Sequence, residues 1–199
     1  MATFCSNCHA PLPAARWQLH DGREVCARCH ATAVYDPVRA HAIFDFTAAA
    51  VAVQLGLQLR VGVGFALADA QVLAAMATRG GANADLLGVY MRHGRERTIY
   101  VRYGLPLLML RTTIAHEYAH AWQAENCPLL DDLPLSEGFA EWVAYRHLLY
   151  LGAGRAAARM RAAVHPYHDW FLQILAREDR AGPAGVLAHL MAAGQGAAG

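Results

Sequence analysis

Lysine is absent from this chain of 199 residues; all 17 basic residues are arginines. The N-terminal α-amine is therefore its only primary amine, and no lysine side chain is available for chemistry. With abundant alanine, this points to a compositional bias of the source genome rather than to a function. Charge is also scarce. Only 17% of residues are charged and the formal net charge is +1, so no electrostatic case exists for a nucleic-acid or anionic-membrane partner. A secretory leader is not expected, since Met1-Ala2-Thr3-Phe4-Cys5 has neither a basic region nor an apolar run. The longest apolar stretch, residues 48–59, is broken by Gln54 and Gln58 and reads as too short and too polar to span a bilayer. Internal repeats are missing too. A soluble, cytoplasmic protein is expected, with 56% hydrophobic residues sufficing for one core and a small appendage.

Cysteine is sparse but organised. Cys5-x-x-Cys8 and Cys26-x-x-Cys29 stand seventeen residues apart, a spacing suited to a zinc ribbon in which four thiolates close a tetrahedral site. Two disulfides or a redox pair are the alternative, disfavoured by a cytosolic setting. His9 and His30 adjoin the knuckles and could substitute for a cysteine. Cys127 is left over and reads as a buried free thiol. Residues 1–35 hold the ribbon, with Trp17 and Val25 as packing residues, and are too few to fold without metal. Asp36-Pro37 marks a boundary and a helix start.

Residues 36–199 form the second unit. Helical spacing covers 38–57, a strand 59–65, a helix 67–77 and a loop 79–83. Two strands, 86–91 and 98–102, flank a turn at His93-Gly94-Arg95-Glu96. Pro106 opens a long apolar helix. Further helices are predicted at 136–151, 154–164, 166–178 and 183–193, with a frayed tail from Gly194. Strands first and helices after indicate an α+β fold. The strand just before the long helix, if its edge is exposed, could pair with an extended peptide; an ordinary interior hairpin is the alternative.

The chemistry concentrates at His116-Glu117-Tyr118-Ala119-His120, followed by Ser136-Glu137-Gly138-Phe139-Ala140-Glu141-Trp142. On a helix, His116 and His120 lie one turn apart on one face, so both imidazoles can reach a single Zn²⁺. Glu117 points beside the metal, as suits a general base. A catalytic zinc needs a third protein ligand, and Glu137 is the best candidate. Ser136 as N-cap would place Glu137 in the first turn of a second helix. Glu141, four residues on, would then hydrogen-bond a ligand histidine; the reverse assignment of the two glutamates is the alternative. Tyr145, His147, His165, Tyr167 and His168 are candidates for stabilising an oxyanion. Zinc is favoured by ligand type, giving two per chain, one catalytic and one structural.

These residues resemble the gluzincin metallopeptidases. Glu137-Gly138-Phe139-Ala140 with His120-Ala121-Trp122 is similar to the aminopeptidase N pattern, without that family's Gly-x-Met-Glu-Asn loop. A closer resemblance is to the plant organ-size-regulating LIM-domain peptidases, the DA-one family, and their bacterial relatives. Tyr103-Gly104-Leu105-Pro106, Ile114-Ala115-His116-Glu117, His120-Ala121-Trp122 and Ser136-Glu137-Gly138 carry it, across residues 86–150. The resemblance implies a zincin-like peptidase domain behind a LIM-like zinc module, zinc on His116, His120 and Glu137, Glu117 as base, and peptide-bond cleavage. A complete LIM domain has two zinc sites where this ribbon has one, and no ubiquitin-binding helix is read in these 199 residues.

Two other readings are open. The peptidase-like unit could be an inactive scaffold, with the ribbon as a protein-interaction module. A nucleic-acid-binding ribbon is the weaker one: Arg16, Arg23 and Arg28 are offset by Asp21 and Glu24, and no basic-aromatic surface appears. The expected partners are a peptide or protein substrate and, through the ribbon, a protein.

Overall fold

The computed structural model describes residues 3–80 and 86–195. Its elements, in chain order, are β1 (Trp17–Gln18), β2 (Glu24–Val25), α1 (Ala27–Thr32), α2 (Pro37–Leu55), β3 (Gly64–Ala68), α3 (Ala70–Gly80), β4 (Gly88–His93), β5 (Glu96–Arg102), α4 (Leu107–Asn126), α5 (Leu133–Tyr150), α6 (Gly154–Ala162) and α7 (His168–Ala193). This is an α+β arrangement with two small sheets.

The expected helix start at Asp36-Pro37 holds for a physical reason. The Asp36 side chain accepts from the Val38 N–H at 3.0 Å, Pro37 occupies the first turn, and Gly56 ends the helix at φ 72°. Ala40, Ile43, Phe44, Thr47, Val51 and Leu55 form its buried face, which packs on α4. Among the described residues α2 is the one helix long and apolar enough, by length and composition, to cross a membrane. Here that composition serves the core.

The first strand of the larger sheet is displaced from its expected place at 59–65 to Gly64–Ala68. Glu125, near the end of α4, takes the Arg60 N–H at 2.9 Å and its Nε at 3.3 Å, so this segment is pinned to a helix instead of entering a ladder. The following helix shifts with it, from 67–77 to Ala70–Gly80. Of the loop expected at 79–83, Arg79 and Gly80 are helical and 81–83 lie outside the described residues, as does the tail from 196 onward.

β5, the strand just ahead of the long helix, is central, so the free edge considered for that strand lies on β4 instead. β5 pairs in parallel with β3 (Gly64 opposite Thr98) and antiparallel with β4 (Gly88 opposite Val101). The hairpin between β4 and β5 closes through Gly94 at φ 61°, and both strands run closer to the turn than expected. β4 is left as an edge of the sheet.

The helix carrying Glu137 starts earlier than a Ser136 cap would allow. Asp132 is the N-cap, its side chain accepting from Leu135 N at 2.9 Å, and Pro134 suits the first turn. Glu137 therefore sits one turn deeper. α6 ends at Ala162 rather than 164, and the last two expected helices join as α7, broken at Gly182 (φ 67°). Trp142, Phe139 and Phe171 are fully buried where α4, α5 and α7 meet. Gly138 is required there, because a Cβ would lie 2.8 Å from Trp170 Cβ.

The cysteine-bearing segment rests on the strip that leads into α4. Asn7 Nδ2 donates to the Gly104 carbonyl at 3.0 Å, and Arg23 Nη2 to the Tyr103 carbonyl. Val34 N–H donates to Leu105 O at 2.9 Å. Asp21 accepts from Ala70 N at 3.3 Å, capping α3 from across the seam.

Candidate functional site

α4 carries His116 and His120 one turn apart, and α5 packs antiparallel to bring Glu137 against them. His116 Nε2 lies 3.1 Å from His120 Nε2 and 3.4 Å from Glu137 Oε2, while His120 Nε2 lies 3.6 Å from Glu137 Oε1. Ligands at 2.0–2.1 Å from a tetrahedral metal stand about 3.3 Å apart, so the three donors fit one ion. The opposite nitrogens are backed by other groups. His120 Nδ1 meets Gln123 Oε1 at 2.8 Å, and His116 Nδ1 lies 3.7 Å from Glu141 Oε1. Both rings thus turn Nε2 toward the centre, and Glu141 stands behind a histidine rather than among the donors.

Gln123 was not foreseen from the sequence. Its side chain also donates to the Ser136 carbonyl at 2.9 Å, and Ser136 Oγ donates to Gln123 Oε1 at 3.0 Å. Ser136 therefore locks α5 to α4 where it had been expected to cap a helix. The available signal was the i, i+3 spacing of Gln123 from His120.

Glu117 is buried and is not among the three donors. Its Oε2 accepts from the Tyr90 main-chain N–H at 2.8 Å, and β4 comes this close because residue 88 is glycine. A Cβ there would meet Thr113 Cγ2 at 2.6 Å and Glu117 Cγ at 3.0 Å. Burial alone would lower the His116 pKa, but hydrogen bonding to Glu137 and the charges of Glu117 and Glu141 outweigh it and raise the imidazole to about 9. Burial would raise the Glu137 pKa; the His116 and His120 contacts reverse that and hold it well below the usual carboxylate range. Three carboxylates facing two imidazoles in one partly desolvated site favour a bound cation.

A cavity of about 460 Å³ opens beside His116, Glu117 and Glu137; Leu86, Met160 and Tyr167 line it. Of the five oxyanion candidates, Tyr167 is the one on this wall. Tyr145 packs edge-on against Phe171, and His165 and His168 meet edge to face with ring centroids 5.5 Å apart. His147 is fully buried with neither ring nitrogen hydrogen-bonded, and burial, helped by Arg111, lowers its pKa to about 4.

The second cluster is Cys5, Cys8, Cys26 and Cys29, whose sulfurs lie within 4.8 Å of one another. Cys8 Sγ and Cys26 Sγ are 3.8 Å apart, far beyond a disulfide bond and close to the roughly 3.8 Å between thiolates on a tetrahedral zinc. Burial works to raise the Cys5 pKa, yet the N–H groups of Cys26, Cys8 and Asn7 hold it at about 6. Cys29 is pushed upward by burial and by its neighbouring thiols. His30 is engaged elsewhere, with Tyr35 OH at 2.6 Å and stacked on Trp17, and His9 is exposed, so neither substitutes for a cysteine. Cys127 is a buried thiol that burial raises to about 11.

Both donor sets could hold a metal ion. Comparison with family models, with curated proteins and with solved structures gives no match.

Proposed function

We propose that this protein is a zinc-dependent metallopeptidase of zincin-like architecture, carrying a structural zinc in its amino-terminal ribbon. The observation that carries the reading is the convergence of His116, His120 and Glu137 with a buried carboxylate, Glu117, beside them and outside the donor set. Two imidazoles and one carboxylate suit zinc, as do four thiolates in the ribbon. The resemblance to the LIM-domain peptidases agrees with this reading, and the reduced thiols suit a cytoplasmic setting.

A zinc ion on His116, His120 and Glu137 would polarise a peptide carbonyl and acidify a water molecule. Glu117 takes the proton from that water and returns it to the leaving amine. The Tyr90 N–H fixes the carboxylate for this task, Gln123 holds the His120 imidazole in orientation, Glu141 lends negative charge behind His116, and Tyr167 supplies a hydroxyl to the developing oxyanion. The free edge of β4 offers main-chain groups to an extended peptide.

The test is cleavage of denatured casein by zinc-loaded protein, wild type beside Glu117→Gln. At equal zinc content the variant should be slower by a factor of about 10² or more. Equal measurable rates would remove Glu117 as the base, and no cleavage by either protein would favour the inactive-scaffold reading.

A further inference from the structure

We infer that Arg92 selects substrates with an acidic side chain two or three residues before the scissile bond. This rests on the peptidase reading and adds a substrate class to it.

The cleft along β4 has two unlike ends. Leu87 O accepts from Arg102 N within the sheet, so residues 87, 89 and 91 face β5, and residues 88, 90 and 92 turn their main-chain groups to the free edge. Glu117 on Tyr90 N marks the level of the chemistry. Toward Leu86 the cleft widens into the cavity lined by Met160 and Tyr167. In the other direction lies a cavity of about 330 Å³ that Arg92 shares with His120, Gln123 and Ser136, and no carboxylate lines it.

Arg92 is exposed, and among the described residues its side chain makes one hydrogen bond, a long contact of Nε with Gly94 O at 3.4 Å. Among the described residues it has no acidic partner, whereas Arg97 and Arg60 nearby are both held by Glu125. Arg92 thus stands over the cleft as an unspent cation. A peptide pairing antiparallel with β4, the more stable arrangement, runs from Arg92 toward Leu86, so its residues ahead of the scissile bond pass Arg92. At roughly 3.3 Å per residue, Arg92 lies about two residues from Tyr90, which sets the position.

Two measurements test this on the 199-residue chain. A chymotryptic pool of proteome peptides, which keeps internal acidic and basic residues, is digested with wild type, Arg92→Ala, Arg92→Lys, Arg92→Glu and, as a charge control in the turn, Arg95→Glu; new termini are read by mass spectrometry. Aspartate and glutamate should be enriched two or three residues before the cut. Arg92→Ala should lose the enrichment, Arg92→Lys keep part of it, Arg92→Glu replace it with basic residues, and Arg95→Glu leave it unchanged. Separately, fluorescein-labelled Ala-Glu-Ala-Ala-Leu-Ala should bind Glu117→Gln protein about fivefold more tightly than the same peptide with glutamine, and adding Arg92→Ala should abolish the difference. Cleavage without acidic preference, or equal binding of the two peptides, overturns the role of Arg92 while the peptidase reading stands. Acidic preference in binding with no cleavage of any peptide leaves Arg92 in place and removes the peptidase reading.

Discussion

His120 Nδ1 donates to Gln123 Oε1 across 2.8 Å, because the Gln123 amide nitrogen is committed to the Ser136 carbonyl. That bond leaves Nε2 of His120 as the lone-pair nitrogen facing Glu137. Gln123→Leu should therefore weaken metal binding at this centre by roughly 10–100-fold and leave the cysteine cluster loaded. Competition with a chelator of known affinity measures it, and unchanged affinity would show that Gln123 only packs.

Gly88 sets the distance between the β4 edge and Glu117. Gly88→Ala puts a methyl group 2.6 Å from Thr113 Cγ2, which must push strand and helix apart and loosen the Tyr90–Glu117 bond. Metal content should hold while kcat/KM falls by about tenfold or more. Adding Thr113→Ser removes the struck methyl and should restore part of the loss. Rescue without any change in metal content separates positioning of Glu117 from metal binding.

The cysteine cluster and the start of α4 are mechanically joined through Asn7, Gly104, Val34 and Leu105. Cys8→Ser should release its metal and speed amide hydrogen exchange in 103–110 as well as in the ribbon itself. Exchange changes confined to residues before 36 would mean that the seam transmits nothing.

His147 gives the fold an acid-sensitive element. Its pKa is lowered from 6.5 to about 4 in the folded chain, so between those values the unfolded chain binds a proton that the folded chain refuses. The stabilisation is complete above pH 6.5 and is lost as pH falls toward 4, by roughly 3 kcal/mol across the window. His147→Leu should flatten this part of the Tm-against-pH curve relative to wild type. Parallel curves would contradict the assignment.

Local chemistry was legible in the sequence wherever neighbours along the chain supply it. His116 and His120 share a helix face, the cysteine spacing closes one cluster, and Asp36 with Pro37 starts α2. The readings that shifted depended on distant partners. Arg60 is drawn out of the strand register by Glu125, sixty-five residues away, and α3 is capped by Asp21 from across the seam. Ser136 looks like a cap in isolation, but Asp132 and Pro134 start the helix sooner and free its hydroxyl for Gln123. That β4 is the edge strand, which brings Arg92 to the cleft, follows from the order of strands in the sheet, and no residue spacing encodes it.

The most direct measurement is metal content per chain by elemental mass spectrometry, on wild type, His116→Ala and Cys8→Ser purified in parallel. Two zinc ions are expected in wild type and one in each variant, since the two donor sets are separate. A single zinc that His116→Ala leaves untouched, with no second equivalent taken up on adding zinc, would contradict a catalytic metal on His116, His120 and Glu137.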